Sequence, residues 1–274
     1  MEIILEDLVR RIQKQADANK IFKKDGEEWF AIAKDDFDVC KVLTEKKHYA
    51  GAVYHLQQCY EKLSKSFFIL TGTTNPSVVS GHDFEQRRIK EIFKEDWAIA
   101  SMSLYEFINE KKLEVKEGLM DTISSEEDKI RAASKSEIEK IFSYFKEIEN
   151  KFYDEKFLDK TEKELKAKRK TLKQIRHYVH LLTRRRIRYS EIVEIITKDR
   201  IKKECKNIIM SLKLMLLCIL LFPHYNVPRY PKGKKTEINY FSYKSGLGIV
   251  DSLDMFITHT EEILRDFEIQ FEIK

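Results

Sequence analysis

The chain has 274 residues, 42% of them hydrophobic and 35% charged, and a formal net charge of +5. That length holds one large domain or two small ones, and the composition predicts a soluble globular protein, excluding a disordered one. Only 8 Gly and 4 Pro punctuate it, few for a β-rich fold with many turns, and the stretch 77–222 has no proline at all. An all-α chain is expected.

In chain order, MEIILEDLVRRIQKQ places Ile4, Leu5, Leu8 and Ile12 on one helical face, assigning an N-terminal helix to residues 1–27. Its acids stand where a secretory signal needs basic residues, so a cytoplasmic protein is expected. A second helix is predicted over 28–46, with Trp29, Ile32, Ala33, Phe37, Cys40 and Leu43 spaced by three and four. His48-Tyr49-Ala50-Gly51 reads as a short corner into GAVYHLQQCYEKLSKSFFILTG (51–72), implying an antiparallel helix pair. Along that helix Gln58, Glu61, Lys62 and Lys65 recur at i, i+3, i+4 and i+7 and form one polar stripe. Two readings stay open. Either Glu61 pairs with a cation and the stripe is a solvated face or a polar dimer seam, or the stripe faces a nucleotide or a partner.

TGTTNPSVVSGHD (71–83) breaks the pattern. Charged helices are then expected over about 84–115, 125–155, 160–186 and 190–222. Within them KELKAKRKTLKQIRHYVHLLTRRRIR (163–188) holds eleven cations against the single Glu164, a net +10 in a chain of +5. Leu165, Leu172, Ile175, Val179 and Leu182 give this segment a buried stripe, leaving Lys166, Arg169, Lys170, Lys173 and Arg176 on one flank, with Arg184, Arg185 and Arg186 beyond. Such a flank is either solvated and acid-paired or a contact for RNA or DNA phosphates, with an anionic membrane surface a weaker third. The apolar run IIMSLKLMLLCILLF (208–222) contains Lys213 and falls short of the roughly twenty residues of a membrane span, so a core helix is expected. It also exceeds what one short hairpin can cover, which points to a homodimer. PHYNVPRYPKGKKTEINY (223–240) is the second break, and a last helix over 242–271 carries Leu247, Val250, Leu253, Phe256, Ile257 and Ile263. Cys40, Cys59, Cys205 and Cys218 lie far apart without a C-x-x-C pair, so reduced buried thiols are expected rather than zinc or disulfides.

Several of these residues also fall into a known arrangement. Trp29-x3-Ala33-x2-Asp36-Phe37-x2-Cys40-x2-Leu43, His48-Tyr49-x2-Ala52 and Gln57-Gln58-x2-Glu61-Lys62-x2-Lys65 resemble the first two helices of HEPN domains. His82-Asp83 is similar to that family's step after helix two, and Pro228-Arg229-Tyr230-Pro231 to the segment before its last helix. The resemblance implies a HEPN-like antiparallel helical bundle from 28–92 and 196–274, interrupted by a charged helical insertion over 93–195. It further implies a nucleotide- or RNA-associated protein of a toxin–antitoxin or phage-defence system, a cognate nucleotidyltransferase as partner, and ligand contacts from Gln58, Glu61, Lys62, Lys65, His82, Arg229 and Tyr230.

Ribonuclease members of that family carry an Arg followed, after four to six residues, by a His. A guanidinium then holds the phosphate while an imidazole one or two turns away moves the proton. His48, His55, His82, His177, His180, His224 and His259 all fail this spacing; Arg169 precedes His177 by seven intervening residues and Arg176 precedes His180 by three. Arg176 and His180 share a helical face and are the candidates for a divergent catalytic pair. A metal phosphohydrolase built on His55, His82-Asp83 and Asp121 lacks the apolar helix that would present the pair. Neither phosphate-loop, dinucleotide nor zinc-protease motifs occur, so no cofactor or metal is expected. A binding module is therefore the preferred reading, with a ribonuclease and a structural homodimeric subunit as alternatives.

Overall fold

The computed structural model describes residues 22–72, 76, 131–167, 197–224, 238 and 240–273. Among them the regular elements are α-helices and short 3-10 turns: α1 (Lys23–Glu45), α2 (Tyr49–Leu70), α3 (Lys135–Phe152), α4 (Glu155–Ala167), α5 (Lys198–Leu221), α6 (Gly248–Asp251) and α7 (Leu253–Phe271). The all-α class expected from the sequence holds. Residues 23–27, assigned by sequence to an N-terminal helix, form the first turns of α1.

α1 and α2 make an antiparallel hairpin, and its corner is a helix stop set in the backbone. The His48 N–H donates to Leu43 O at 2.8 Å and the Lys47 N–H to Thr44 O at 2.9 Å, with Lys47 at φ +60°. This is a left-handed C-terminal cap whose two bonds close the last orphan carbonyls. α7 ends the same way, with the Ile273 N–H on Glu268 O and Glu272 at φ +52°. At the open end of the hairpin, Gly26 lets the Leu70 side chain lie where a Cβ would stand 2.5 Å from its Cγ, and the Ser66 hydroxyl donates to Gly26 O at 2.7 Å.

α2 is the central helix. From Leu56 to Thr71 only Gln58 and Lys62 are more than marginally exposed, and α1, α5 and the 3-10 turn Phe222–His224 pack around it. Phe30 of α1, Phe67 of α2, and Phe267 and Phe271 of α7 meet as one aromatic cluster, with Phe30 stacked on Phe267 at 5.0 Å and Phe267 tilted on Phe271 at 4.8 Å. Tyr60 is fully buried and its hydroxyl is satisfied by Thr260 Oγ1 at 2.8 Å. α5 is charged in its first half and apolar in its second. Ile208, Ile209, Met210, Leu212, Leu214, Leu217, Leu220 and Leu221 are all buried in the same core. Most described residues of the 208–222 run, from which the sequence argued a homodimer, are buried within the chain. No described helix is long and apolar enough to cross a membrane. α3 and α4, inside the interval read as an insertion, contribute Ile138, Phe142, Phe145, Ile148 and Leu158 to this core.

α3 opens on a capping box: Ser134 N–H donates to Glu137 Oε2 at 2.8 Å and Glu137 N–H to Ser134 Oγ at 3.4 Å. Just before it, Arg131 Nε donates to Pro223 O at 2.8 Å, and Gly248 approaches so closely that a Cβ would fall 2.0 Å from Ala133 O. His224, 1% exposed, closes the joint by a hydrogen bond between its Nδ1 and the Tyr243 hydroxyl at 2.7 Å. Burial and the nearby Arg131 cation push the His224 imidazole down to about 3.

Two outcomes follow from this joint. Replacing Gly248 by Ala forces backbone apart and should destabilise the protein by about 2 kcal/mol or more, read as a lower denaturation midpoint. Unfolded histidine titrates near 6.5, so between about pH 6.5 and 3 the unfolded chain holds a proton that the folded one refuses. Stability should fall by about 1.4 kcal/mol for each pH unit lowered through that window. In His224→Asn, whose amide still bonds to Tyr243, the acid limb of the stability profile should be flatter than in wild type.

Candidate functional site

The stripe of α2 does stay together, but it does not face solvent. Glu61 and Lys65 are 4% and 5% exposed, and Lys62 and Gln58 are half-buried. The Lys65 ammonium donates to Glu61 Oε1 at 2.6 Å and lies 4.7 Å from the centroid of the Trp29 ring of α1. A cation stripped of water is here met by a carboxylate one helical turn earlier and by an aromatic face. Gln58 bridges the two halves of the network: its Nε2 donates to Gln57 Oε1 at 2.6 Å and Glu61 Oε2 at 3.3 Å, and its Oε1 accepts from Lys62 Nζ at 3.0 Å. The reading of a solvated face is thus corrected, because α1 covers the stripe. Pairing of Glu61 with a cation is what the structure shows.

Asp36 of α1 is the hinge of the other half. Its Oδ2 accepts Lys62 Nζ at 2.6 Å and its Oδ1 faces His55 Nδ1 at 2.8 Å. Burial by itself would raise the Asp36 carboxyl, but the bonds from His55 and Lys62 outweigh it and hold the group below its ordinary range. Asp36 is therefore an ionised acceptor, and His55 presents Nδ1–H to it. The edge of the Tyr54 ring packs on the imidazole at 5.2 Å. Sequence reasoning quoted Asp36 only as part of a motif and cast His55 in a discarded metal site. The available signal was their positions on the two arms of one predicted hairpin, although the sequence set its corner at 48–51 and the structure has it at 46–48, with Tyr49–Gly51 already in α2.

The remaining sequence-assigned residues divide in two. Lys166 pairs with Glu162 Oε1 at 2.6 Å and is partly exposed. His82, Arg169, Lys170, Lys173, Arg176, His180, Arg184, Arg185, Arg186, Arg229 and Tyr230 lie outside the described residues. Cys40, Cys59 and Cys218 sit in the core, and burial raises all three thiols, Cys40 and Cys218 to about 12. These sulfurs are un-ionised and unreactive at neutral pH. A groove of about 510 Å³ between α3, α5 and α7 is lined by Lys202, Lys203 and Lys206 together with Asp199, Asp266 and Glu272, and by the Lys213–Glu149 pair. Charges of both signs leave it without a net preference for anions.

The helical hairpin with its internally paired stripe defines an all-α helical domain, and among the described residues no group of His, Cys, Asp or Glu could hold a metal ion. The family model described as "HEPN domain" matches residues 26–179, more than half of the chain, which belongs to this family. The match runs through α1 to α4 and across part of the interval that the sequence reading treats as an insertion. A protein of Methanocaldococcus jannaschii named "Putative toxin MJ1304" is 48% identical over 50 residues, covering 18% of this chain and 33% of the relative. The chain thus spans about a third of the length of the curated relative it matches. No solved structure matches it.

The buried pair is testable by breaking it from one side. Glu61→Gln removes the buried Lys65–Glu61 ion pair and should cost about 3 to 5 kcal/mol in urea denaturation. Combining it with Lys65→Met removes the buried ammonium as well and should recover most of that loss.

Proposed function

We propose that the chain is a nucleotide- or RNA-associated binding module of a toxin–antitoxin or phage-defence system, and that it does not itself cut RNA. The observation that carries this reading is the conjunction of HEPN membership over 26–179 with the missing Arg/His spacing in the sequence. The likeness to a protein named as a toxin supports the setting. A cognate nucleotidyltransferase and a second copy of the chain are the partners this reading names. The basic segment 163–188 supplies the phosphate contacts, directed at the backbone and poor in sequence preference. Gln58 and Lys62, the half-buried members of the α2 stripe, are the ligand-facing groups of the helical core.

Purified protein should therefore leave structured and single-stranded RNA intact with or without divalent metal. Cleavage that vanishes in Arg176→Ala and His180→Ala would replace the binding reading with the ribonuclease one.

Binding itself is read from salt dependence. Each neutralised phosphate contributes about −0.9 for duplex DNA, or about −0.7 for a single strand, to the slope of log affinity against log salt. Because Lys166 is held by Glu162, the informative replacements are Arg169, Lys170, Lys173 and Arg176, each to Gln, which leaves helix propensity nearly unchanged. The slope on single-stranded RNA should flatten by about 3, and affinity should drop alike on all sequences. Wild-type protein without salt-dependent binding would leave the segment as an acid-paired surface.

A further inference from the structure

Four histidines lie among the described residues, and one is built differently from the rest. His224 is sealed in the core with its Nδ1 committed to Tyr243. His259 meets Glu262 at 3.2 Å, but its ring is stacked on Phe142 and buried. His48 is exposed at the start of α2, with no side-chain capping bond. His55 combines both requirements of a reactive imidazole: Nδ1 is fixed 2.8 Å from Asp36 Oδ1, and the side chain is 29% exposed. Its Nε2 has no protein partner among the described residues.

The chemistry of that arrangement is directional. Asp36 can only accept, so the ring proton sits on Nδ1 and the lone pair on Nε2. When Nε2 attacks an electrophile the ring becomes cationic, and the carboxylate already bonded to it stabilises the new charge. Lys62, bonded to the other oxygen of the same carboxylate at 2.6 Å, fixes Asp36 in place. Both histidine and lysine stand on the enclosed helix α2, so the geometry is preorganised rather than induced.

We propose that His55 Nε2 is a phosphoryl-accepting nucleophile, served by a small phosphoryl donor of the acyl-phosphate or phosphoramidate type. The Nε2 lone pair attacks phosphorus and an N–P bond forms. The bond from phosphorus to the leaving group breaks, its electron pair departing on the carboxylate or on ammonia. The Nδ1 proton stays in the hydrogen bond to Asp36, and nothing is oxidised or reduced. The proposal is independent of the nucleic-acid reading, and its readout involves no nucleic acid.

The test is an internal competition. Full-length protein is incubated with phosphoramidate and the acid-labile, alkali-stable label is mapped by alkaline peptide mass spectrometry and phosphorus NMR. His55 should be labelled about tenfold faster than the exposed His48, and Asp36→Asn should slow His55 by a similar factor while leaving His48 unchanged. Equal labelling of the two histidines in wild type, or no label on His55, overturns the proposal, as does an Asp36→Asn variant that labels His55 at the wild-type rate. If that variant fails to fold by circular dichroism, the wild-type competition between His55 and His48 decides alone.

Discussion

Enclosure of α2 is the constraint on which the rest of the structure depends. A helix covered on nearly every side cannot leave an ammonium or a carboxylate unmatched, because the cost of removing an ion from water far exceeds that of burying a methylene. Lys62, Lys65, Glu61 and the Asp36 that reaches them from α1 are therefore matched among themselves. The pairing is selective as well as neutralising. Rotating α1 by one residue about its axis would carry Asp36 away from both Lys62 and His55. The ionic contacts thus agree with the apolar ones, because the same turn would carry the buried Phe30, Ala33, Phe37 and Cys40 out of the core.

The second half of the fold is tied down by backbone rather than by charge. Arg131 on Pro223 O, Gly248 against Ala133 O, and His224 under Tyr243 bring three segments distant in sequence to one place. Each contact has no room to spare. The glycine is needed because any side chain would displace a carbonyl, and the histidine stays neutral because its proton would be buried beside a guanidinium. α3, α5 and α7 inherit their positions from this joint, and the aromatic residues of α3 and α7 with the aliphatic ones of α5 complete the core around α2. One core results, to which helices on both sides of the undescribed intervals contribute.

These two features bear on function differently. The joint builds nothing with a free reactive atom, since each of its polar groups is consumed by packing. The α2 network consumes most of its groups too, but leaves His55 oriented and partly open. In the proposed reading, contact with nucleic acid and small-molecule phosphoryl chemistry belong to separate parts of the chain: the basic segment for the first, and His55 on α2 for the second.

Much of the architecture was legible in the sequence. Three- and four-residue spacing identified α1, α2 and α7 and marked Phe37, Cys40 and Phe256 as inward-facing, because side-chain periodicity is a local property of a helix. The same spacing put Gln58, Glu61, Lys62 and Lys65 on one strip. What it left undecided was whether water or protein lies against that strip, since burial of a charge turns on a partner elsewhere in the chain. Lys65 became a core residue because Trp29 covers it, and the half-buried Lys62 is paired because Asp36 answers it 26 positions away. His224, in a loop read as a break, became one of the most buried residues through Tyr243 and Arg131. His55 gained its direction from a carboxylate 19 residues distant across the hairpin. Local periodicity determines which residues share a face; only the packing of one helix on another determines what that face meets, and with it the protonation and reactivity of the groups it carries.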